Sequence, residues 1–260
     1  MRLEHRLTAN TKAGRRSLAM FLTAGYPALT ATADLVCALE EGGADLVEIG
    51  VPFSDPLADG PVIQKASGTA IANGVTLPWI LEMVAALRHR TSVPIVLMGY
   101  LNPIMRYGSD RFFGDAAEAG VDGVILPELP LEEWSLYAPL VAQAGLAGIL
   151  LATPTTPPAR VEAIDKASTG FVYCVSTTGV TGGAVVGSAL EDVRAVRAHV
   201  RRNPMLVGFG ISQPQQAVDF AREADGVIIG SALLRRLDED PSPGGTRVWT
   251  AGFRRALDGI

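Results

Sequence analysis

Glu48 sits inside Leu46-Val-Glu-Ile-Gly-Val51, flanked by Val47 and Ile49, so a carboxylate is embedded in a run that otherwise reads as buried. Burial penalises the charged form of an acid and raises its pKa, the condition for general acid or base work near neutrality. The competing reading is an ion pair with an arginine that ties strands together. Asp55 and Asp59 follow in the loop Phe53-Ser-Asp-Pro-Leu-Ala-Asp-Gly-Pro61, which Pro52, Pro56 and Pro61 restrain. A loop acid more often caps a turn, but two of them directly after a strand bearing Glu48 favour a shared site. Glu128 lies near another strand end, whereas Asp45 precedes its strand and belongs to the structural face.

A second group of residues suits an anion. Gly179-Val-Thr-Gly-Gly183, Gly208-Phe-Gly210 and Gly230-Ser231 each follow an apolar run, the last opening a helix. Glycine lets the backbone approach a ligand, and N–H groups at a helix N-terminus hold phosphate without a basic side chain. Other chemistries lack their parts. Lys12, Lys65 and Lys166 are the only lysines and none falls in an expected strand, so a Schiff-base nucleophile is missing. His5, His89 and His199 fall on helices or their ends, away from a metal site. What remains is cofactor-free acid–base chemistry by carboxylates on a phosphorylated small molecule.

These residues need a frame that brings them to one place. Apolar runs at 18–23, 46–51, 95–100, 123–126, 147–151, 171–175, 206–209 and 226–229 read as strands covered on both faces. Helical patterns occupy 30–41, 62–73, 77–89, 110–119, 131–144, 157–167, 189–201, 214–223 and 231–238. Gly42-Gly43, Gly120 and Gly145 mark helix ends. Eight strand–helix units predict an α/β fold, a (β/α)₈ TIM barrel, with a short capping helix over 2–9 at its bottom. A doubly wound open sheet is the rival. It would place its glycine-rich turn after the first strand, whereas here the glycines follow the late ones. In a barrel the strand C-termini build the site, and loops after strands seven and eight commonly hold phosphate. No low-complexity linker interrupts the chain, so one domain spans 1–260.

Composition sets outer bounds. The 260 residues are 48% hydrophobic and 19% charged with a net charge of −5, which excludes disorder and a strongly basic nucleic-acid surface. Cys37 and Cys174 form no close pair, which fits a reducing, cytoplasmic setting. Arg15-Arg16 before an apolar stretch imitates an export signal, but Gly25-Tyr26-Pro27 ends that stretch early. Trp134–Ala159 carries no charge, yet Pro139, Gly145, Gly148, Pro154 and Pro157 break it, so a membrane helix is not expected.

The segment Val47-Glu-Ile-Gly-Val-Pro-Phe-Ser-Asp-Pro-Leu-Ala-Asp-Gly-Pro61 closely resembles the signature of the tryptophan synthase alpha chain family. The resemblance continues at Phe21–Pro27, Met98–Pro103, Ser176–Gly182, Gly208–Ser212 and Ile229–Ala232, and so covers nearly the whole chain. It implies a barrel that cleaves indole-3-glycerol phosphate to indole and glyceraldehyde 3-phosphate. It further implies no cofactor in this chain and a pyridoxal-phosphate beta chain as partner in an alpha-beta-beta-alpha assembly. By the same resemblance Glu48 is the general acid–base carboxylate, and Asp59 holds the indole N–H. Phe21, Met98, Tyr100, Tyr173 and Phe209 form the indole pocket, with Tyr173 reaching toward Glu48. Gly182, Gly210, Gly230 and Ser231 bind phosphate. The beta chain docks near Pro52, Asp55 and Asn102. Thr177-Thr178 departs from the usual family pattern of a basic residue beside a small or apolar one. A phosphosugar isomerase or epimerase, or a non-catalytic regulatory barrel subunit, is the alternative. The first would need metal ligands or a second strand acid, and the second could lose Glu48 or Asp59.

Overall fold

The computed structural model describes residues 1–175, 183–208 and 210–260, with the side chains of 183–186 excepted. In chain order the first half runs α1 (Arg2–Lys12), β1 (Ser17–Thr23), α2 (Ala31–Glu41), β2 (Leu46–Gly50), α3 (Pro61–Ala72), α4 (Leu77–Leu87), β3 (Ile95–Met98), α5 (Leu101–Tyr107), α6 (Ser109–Ala119) and β4 (Gly123–Ile125). The second half runs α7 (Leu131–Gln143), β5 (Ala147–Ala152), α8 (Pro158–Ala167), β6 (Val172–Val175), α9 (Gly183–Arg197), β7 (Met205–Gly208), α10 (Pro214–Ala221), β8 (Gly226–Ile229), α11 (Ser231–Glu239) and α12 (Pro243–Leu257). The eight strands pair in parallel in sequence order, and β8 closes onto β1. This is the expected barrel.

Strand alternation sorts the side chains into two cores. Ala19, Leu46, Val96, Ile125, Ile149, Phe171, Tyr173, Leu206 and Ile228 pack inside the barrel. The residues between them, such as Leu18, Met20, Val47 and Ile49, pack outward against the helices. Leu3 and Leu7 of α1 are buried in the inner cluster, so the N-terminal helix plugs the bottom as expected.

The bottom is closed by a device repeated four times. Just before each even-numbered strand, a short polar side chain accepts a backbone N–H from the start of the preceding odd strand. Asp45 accepts from Leu18 (2.9 Å), Asp122 from Ile95 (2.9 Å), Thr169 from Gly148 (2.8 Å) and Asp225 from Met205 (2.8 Å). The aspartates also meet arginines. Asp45 lies 2.7 Å from Arg15 and 3.2 Å from Arg254, and Asp122 lies 2.8 Å from Arg88. Buried acids that are paired and hydrogen-bonded in this way are tolerated, which explains Asp45 on the structural face.

Some boundaries differ from expectation. β3 ends at Met98, and Gly99-Tyr100 lead into α5, a helix hidden in the sequence by Pro103. Helix α12 goes beyond the sequence pattern, because Pro243, Gly244, Gly245 and Gly252 weaken its periodicity. Ser242 caps it by accepting the Gly245 N–H at 3.1 Å, and its face carries buried Thr246, Thr250, Phe253 and Leu257. It lies so close to α2 that a Cβ on Gly42 would come within 2.6 Å of Thr250. Residues 183–188, which precede the helix expected over 189–201, form the first turns of α9. The uncharged stretch from Trp134 resolves into most of α7, then β5 and the start of α8. Among the described residues no single helix is long and apolar enough to cross a membrane.

Candidate active site

The pleat that points Ala19 and Leu46 inward also points Phe21 and Thr23 of β1, and Glu48 and Gly50 of β2, toward the barrel axis. Phe21 pairs with Glu48, and one step nearer the C-terminal mouth Thr23 pairs with Gly50. Above them a cleft of about 290 Å³ opens to solvent. Phe21, Thr23, Gly50, Asp59, Met98 and Tyr100 contribute to its walls, with Ile63 and Ser67 of α3 completing that side. A Cβ at Gly50 would lie 2.6 Å from the Phe21 ring, so only glycine there leaves the ring its place.

Glu48 is completely buried, and neither carboxyl oxygen has a hydrogen-bond partner among the described residues. The ion-pair reading of this residue therefore falls. Burial alone pushes its pKa up to about 8. Tyr173 is buried inside the barrel beside it. Burial first, then the negative charges of Glu48, Cys174 and Asp59, hold the Tyr173 phenol well above its usual range. A Cβ at Gly208 would come within 2.5 Å of the Tyr173 hydroxyl, so the ring leans over β7 and requires glycine there. Tyr173 thus stands within electrostatic reach of Glu48 but makes no hydrogen bond to it.

Asp59 is held by its loop and by one tyrosine. Its N–H donates to the Pro56 carbonyl (3.0 Å), and Gln64 donates to the Asp59 carbonyl (2.8 Å). The Tyr100 hydroxyl accepts the Ala58 N–H (3.0 Å) and donates to the Asp59 carboxylate (3.2 Å). Phe53 packs on the Tyr100 ring at 5.1 Å between centroids. Burial raises the Asp59 pKa, the Tyr100 hydrogen bond opposes it, and the charge of Glu128 adds to the rise. Glu128 itself accepts the Leu101 N–H at 2.5 Å, capping the helix that begins directly after Tyr100. That positioning role is not legible in the sequence, where Glu128 is only an acid near a strand end. Asp55 turns away to an exposed hydrogen bond with Ser54 (2.6 Å) and takes no part in the cleft.

On the far side of β1, Gly230 directly follows β8 and Ser231 starts α11, whose first N–H groups have no helical acceptor. A Cβ at Gly230 would lie 3.6 Å from Phe21, so this anion candidate adjoins the cleft across that ring. Gly210 has a φ of +77°, a backbone that favours glycine whatever it binds. Gly182, Phe209 and Thr177-Thr178 lie outside the described residues. Among the described residues no cluster of three or more His, Cys, Asp or Glu could hold a metal. Lys65 pairs with Asp238 at 2.9 Å, and His199 lies 3.1 Å from Glu162.

A closed parallel barrel with an unpaired buried glutamate below an aspartate-bearing loop narrows the family sharply, and comparison with known proteins decides it. The family model described as "Tryptophan synthase alpha chain" matches residues 7–248. The chain belongs to the tryptophan synthase alpha chain family. The alpha chain of Citrifermentans bemidjiense is 48% identical over 242 residues, covering 92% of this chain and 90% of that one. That of Laribacter hongkongensis is 45% identical, covering 99% of each. Among solved structures, the alpha subunit of Legionella pneumophila str. Paris superposes with a TM-score of 0.91 at 36% identity, covering 100% of this chain and 99% of that one. Tryptophan synthase of M. tuberculosis in its aminoacrylate-bound form gives 0.88 at 36% identity, covering 98% of this chain and 99% of that one.

Proposed function

We propose that this chain, as one domain, cleaves indole-3-glycerol phosphate to indole and glyceraldehyde 3-phosphate, with Glu48 and Asp59 as its catalytic residues. It is a carbon–carbon lyase of tryptophan biosynthesis. The observation that carries the site assignment is Glu48, fully buried, unpartnered among the described residues and raised to about 8, one residue pair below a cleft that Asp59 overlooks.

At neutral pH a carboxyl raised to about 8 is mainly protonated, and so can first act as an acid. Proton transfer from Glu48 to indole C3 gives the cationic indolenine, with the Asp59 carboxylate accepting the ring N–H and balancing its charge. Glu48, now a carboxylate, takes the proton of the glycerol hydroxyl next to the ring. The O–H electron pair forms the aldehyde C=O, the C–C bond breaks, and its electrons restore the aromatic ring. Protons and electrons balance, and Glu48 ends as it began. Phe21, Met98, Tyr100, Tyr173 and Phe209 wall the indole.

The phosphate falls to Gly230, Ser231, Gly210 and Gly182 through backbone N–H groups. Gly230→Val tests this best, because Gly230 has a φ of −113° and a Cβ there makes only ordinary contact with Phe21 at 3.6 Å, whereas Gly210 would be strained by any side chain. The variant is expected to raise KM at least about tenfold, roughly 1.4 kcal/mol, with the chain still folded. Unchanged binding of glycerol phosphate would move the anion site elsewhere.

This chain needs no cofactor of its own in this scheme. A pyridoxal-phosphate beta chain takes up the indole, docking on the cleft side near Pro52, Asp55 and Asn102 in an alpha-beta-beta-alpha assembly in the cytoplasm. Leu57 (94% exposed) on the Asp59 loop and Met105 (57% exposed) on α5 give that face apolar surface suited to a partner. The deciding experiment is indole formation from indole-3-glycerol phosphate by the purified chain, alone and with the cognate beta chain. Slow release alone and a rise of at least about tenfold with the partner are expected, about 1.4 kcal/mol of coupling. No indole in either sample would reject the function, and equal rates would reject the coupling.

A further inference from the structure

Two buried polar side chains in the barrel interior have no hydrogen-bond partner among the described residues: Glu48 and Thr23. The other unpartnered atoms belong to Ser168, Thr246, Thr250 and Arg254, which lie outside the inward strand positions. Chemistry explains Glu48, but nothing so far explains Thr23. Its side chain is 1% exposed and it lines the cleft. A buried hydroxyl with no partner is unfavourable, and a valine would fill the same space without that penalty.

The position of Thr23 points to what it meets. β1 lies between β8, which Gly230 directly follows, and β2, which carries Glu48 and Gly50. Phe21 spans the two sides, in reach of both the Gly50 and Gly230 Cβ positions. On the reading proposed above, the indole N–H is at Asp59 and the phosphate at Gly230. The three-carbon chain joining them must then cross over β1, where Thr23 is the polar group one residue pair nearer the mouth than Glu48. Asp59 already has the Tyr100 hydroxyl as donor. One glycerol hydroxyl surrenders its proton to Glu48, which leaves the other to be recognised.

We infer that Thr23 is a substrate-binding residue whose hydroxyl hydrogen-bonds the glycerol hydroxyl that does not react. The inference rests on the proposed function, and its test separates the two. In the full chain, Thr23→Val and Thr23→Ser are compared with the native protein for turnover of indole-3-glycerol phosphate. They are also compared for inhibition by indole-3-propyl phosphate, which keeps ring and phosphate but lacks both hydroxyls. Thr23→Val is expected to lower kcat/KM about five- to tenfold, to leave the inhibition constant within twofold, and to melt no lower than the native chain. Thr23→Ser, which keeps the hydroxyl, is expected to retain kcat/KM within about twofold. An equal loss of affinity for the propyl analogue would place Thr23 against the ring, the phosphate or Asp59 and overturn the inference. So would native kcat/KM in Thr23→Val, or a lower melting temperature that accounts for the loss. If the native chain releases no indole, the proposed function fails and this inference fails with it.

Discussion

Glu48→Gln is expected to leave the barrel folded and to slow indole release by roughly 10²- to 10⁴-fold, the range that a positioned acid–base group supplies. The amide matches the carboxyl in shape, so Phe21 and Val96, its neighbours on β1 and β3, have no cause to move. It can neither give a proton to C3 nor take one from the hydroxyl. A stability measurement identifies the cause independently. In the unfolded chain this glutamate ionises near its ordinary value of 4.5, but in the barrel near 8. Between those values the folded state binds more protons than the unfolded one, so stability falls as pH rises through the window. The loss reaches about 3 kcal/mol at pH 7 and is complete above pH 8. The Glu48→Gln variant carries a buried, unpaired amide, a penalty that does not change with pH. Urea melts of both proteins should therefore diverge in favour of the variant from about pH 4.5 to 8 and run parallel outside that window. Activity within about tenfold of native, or a stability difference flat across pH, would remove Glu48 from the acid–base role.

The same residue shows why part of this site can be read in the sequence. A lone charge in an apolar strand is a local conflict, and such conflicts concentrate where function demands them. The barrel is legible for a related reason, since strands buried on both faces leave near-continuous apolar runs at regular intervals. Thr23 is hidden because threonine suits a strand for its shape alone, and only the folded structure reveals that its hydroxyl has no partner among the described residues. The glycine-rich turns do not share one role. Gly208 belongs to an expected anion group, yet its place is set by the Tyr173 hydroxyl crossing above it. Gly50 makes room for Phe21, a contact between strands that no local pattern records. Helix α12 escapes a sequence reading because its glycines and proline oppose helix formation locally, while Phe253 and Leu257 anchor it in the core through contacts far along the chain.

Asp59→Asn is expected to lower kcat by roughly 10²- to 10³-fold with a much smaller change in KM, because a charge partner matters most where charge develops. Loss of loop geometry is the rival cause, and the hydrogen bonds around the residue discriminate against it. The loop is fixed by main-chain contacts that the substitution leaves intact: the Asp59 N–H to Pro56 and the Gln64 amide to the Asp59 carbonyl. The Ala58 N–H still has the Tyr100 hydroxyl as acceptor, and that hydroxyl can donate to an asparagine oxygen as it does to the carboxylate. An asparagine oxygen also accepts the indole N–H, so the substrate should bind. What disappears is the negative charge that balances the indolenine cation after C3 is protonated. The effect should therefore appear in turnover and spare binding of an uncharged ring. Steady-state kinetics with indole-3-glycerol phosphate, together with a structure of the Asp59→Asn variant holding the substrate, tests both parts. Substrate seated normally in a slow variant supports electrostatic stabilisation by Asp59. A displaced ring, or a KM that rises as far as kcat falls, would reduce Asp59 to a residue that shapes its loop.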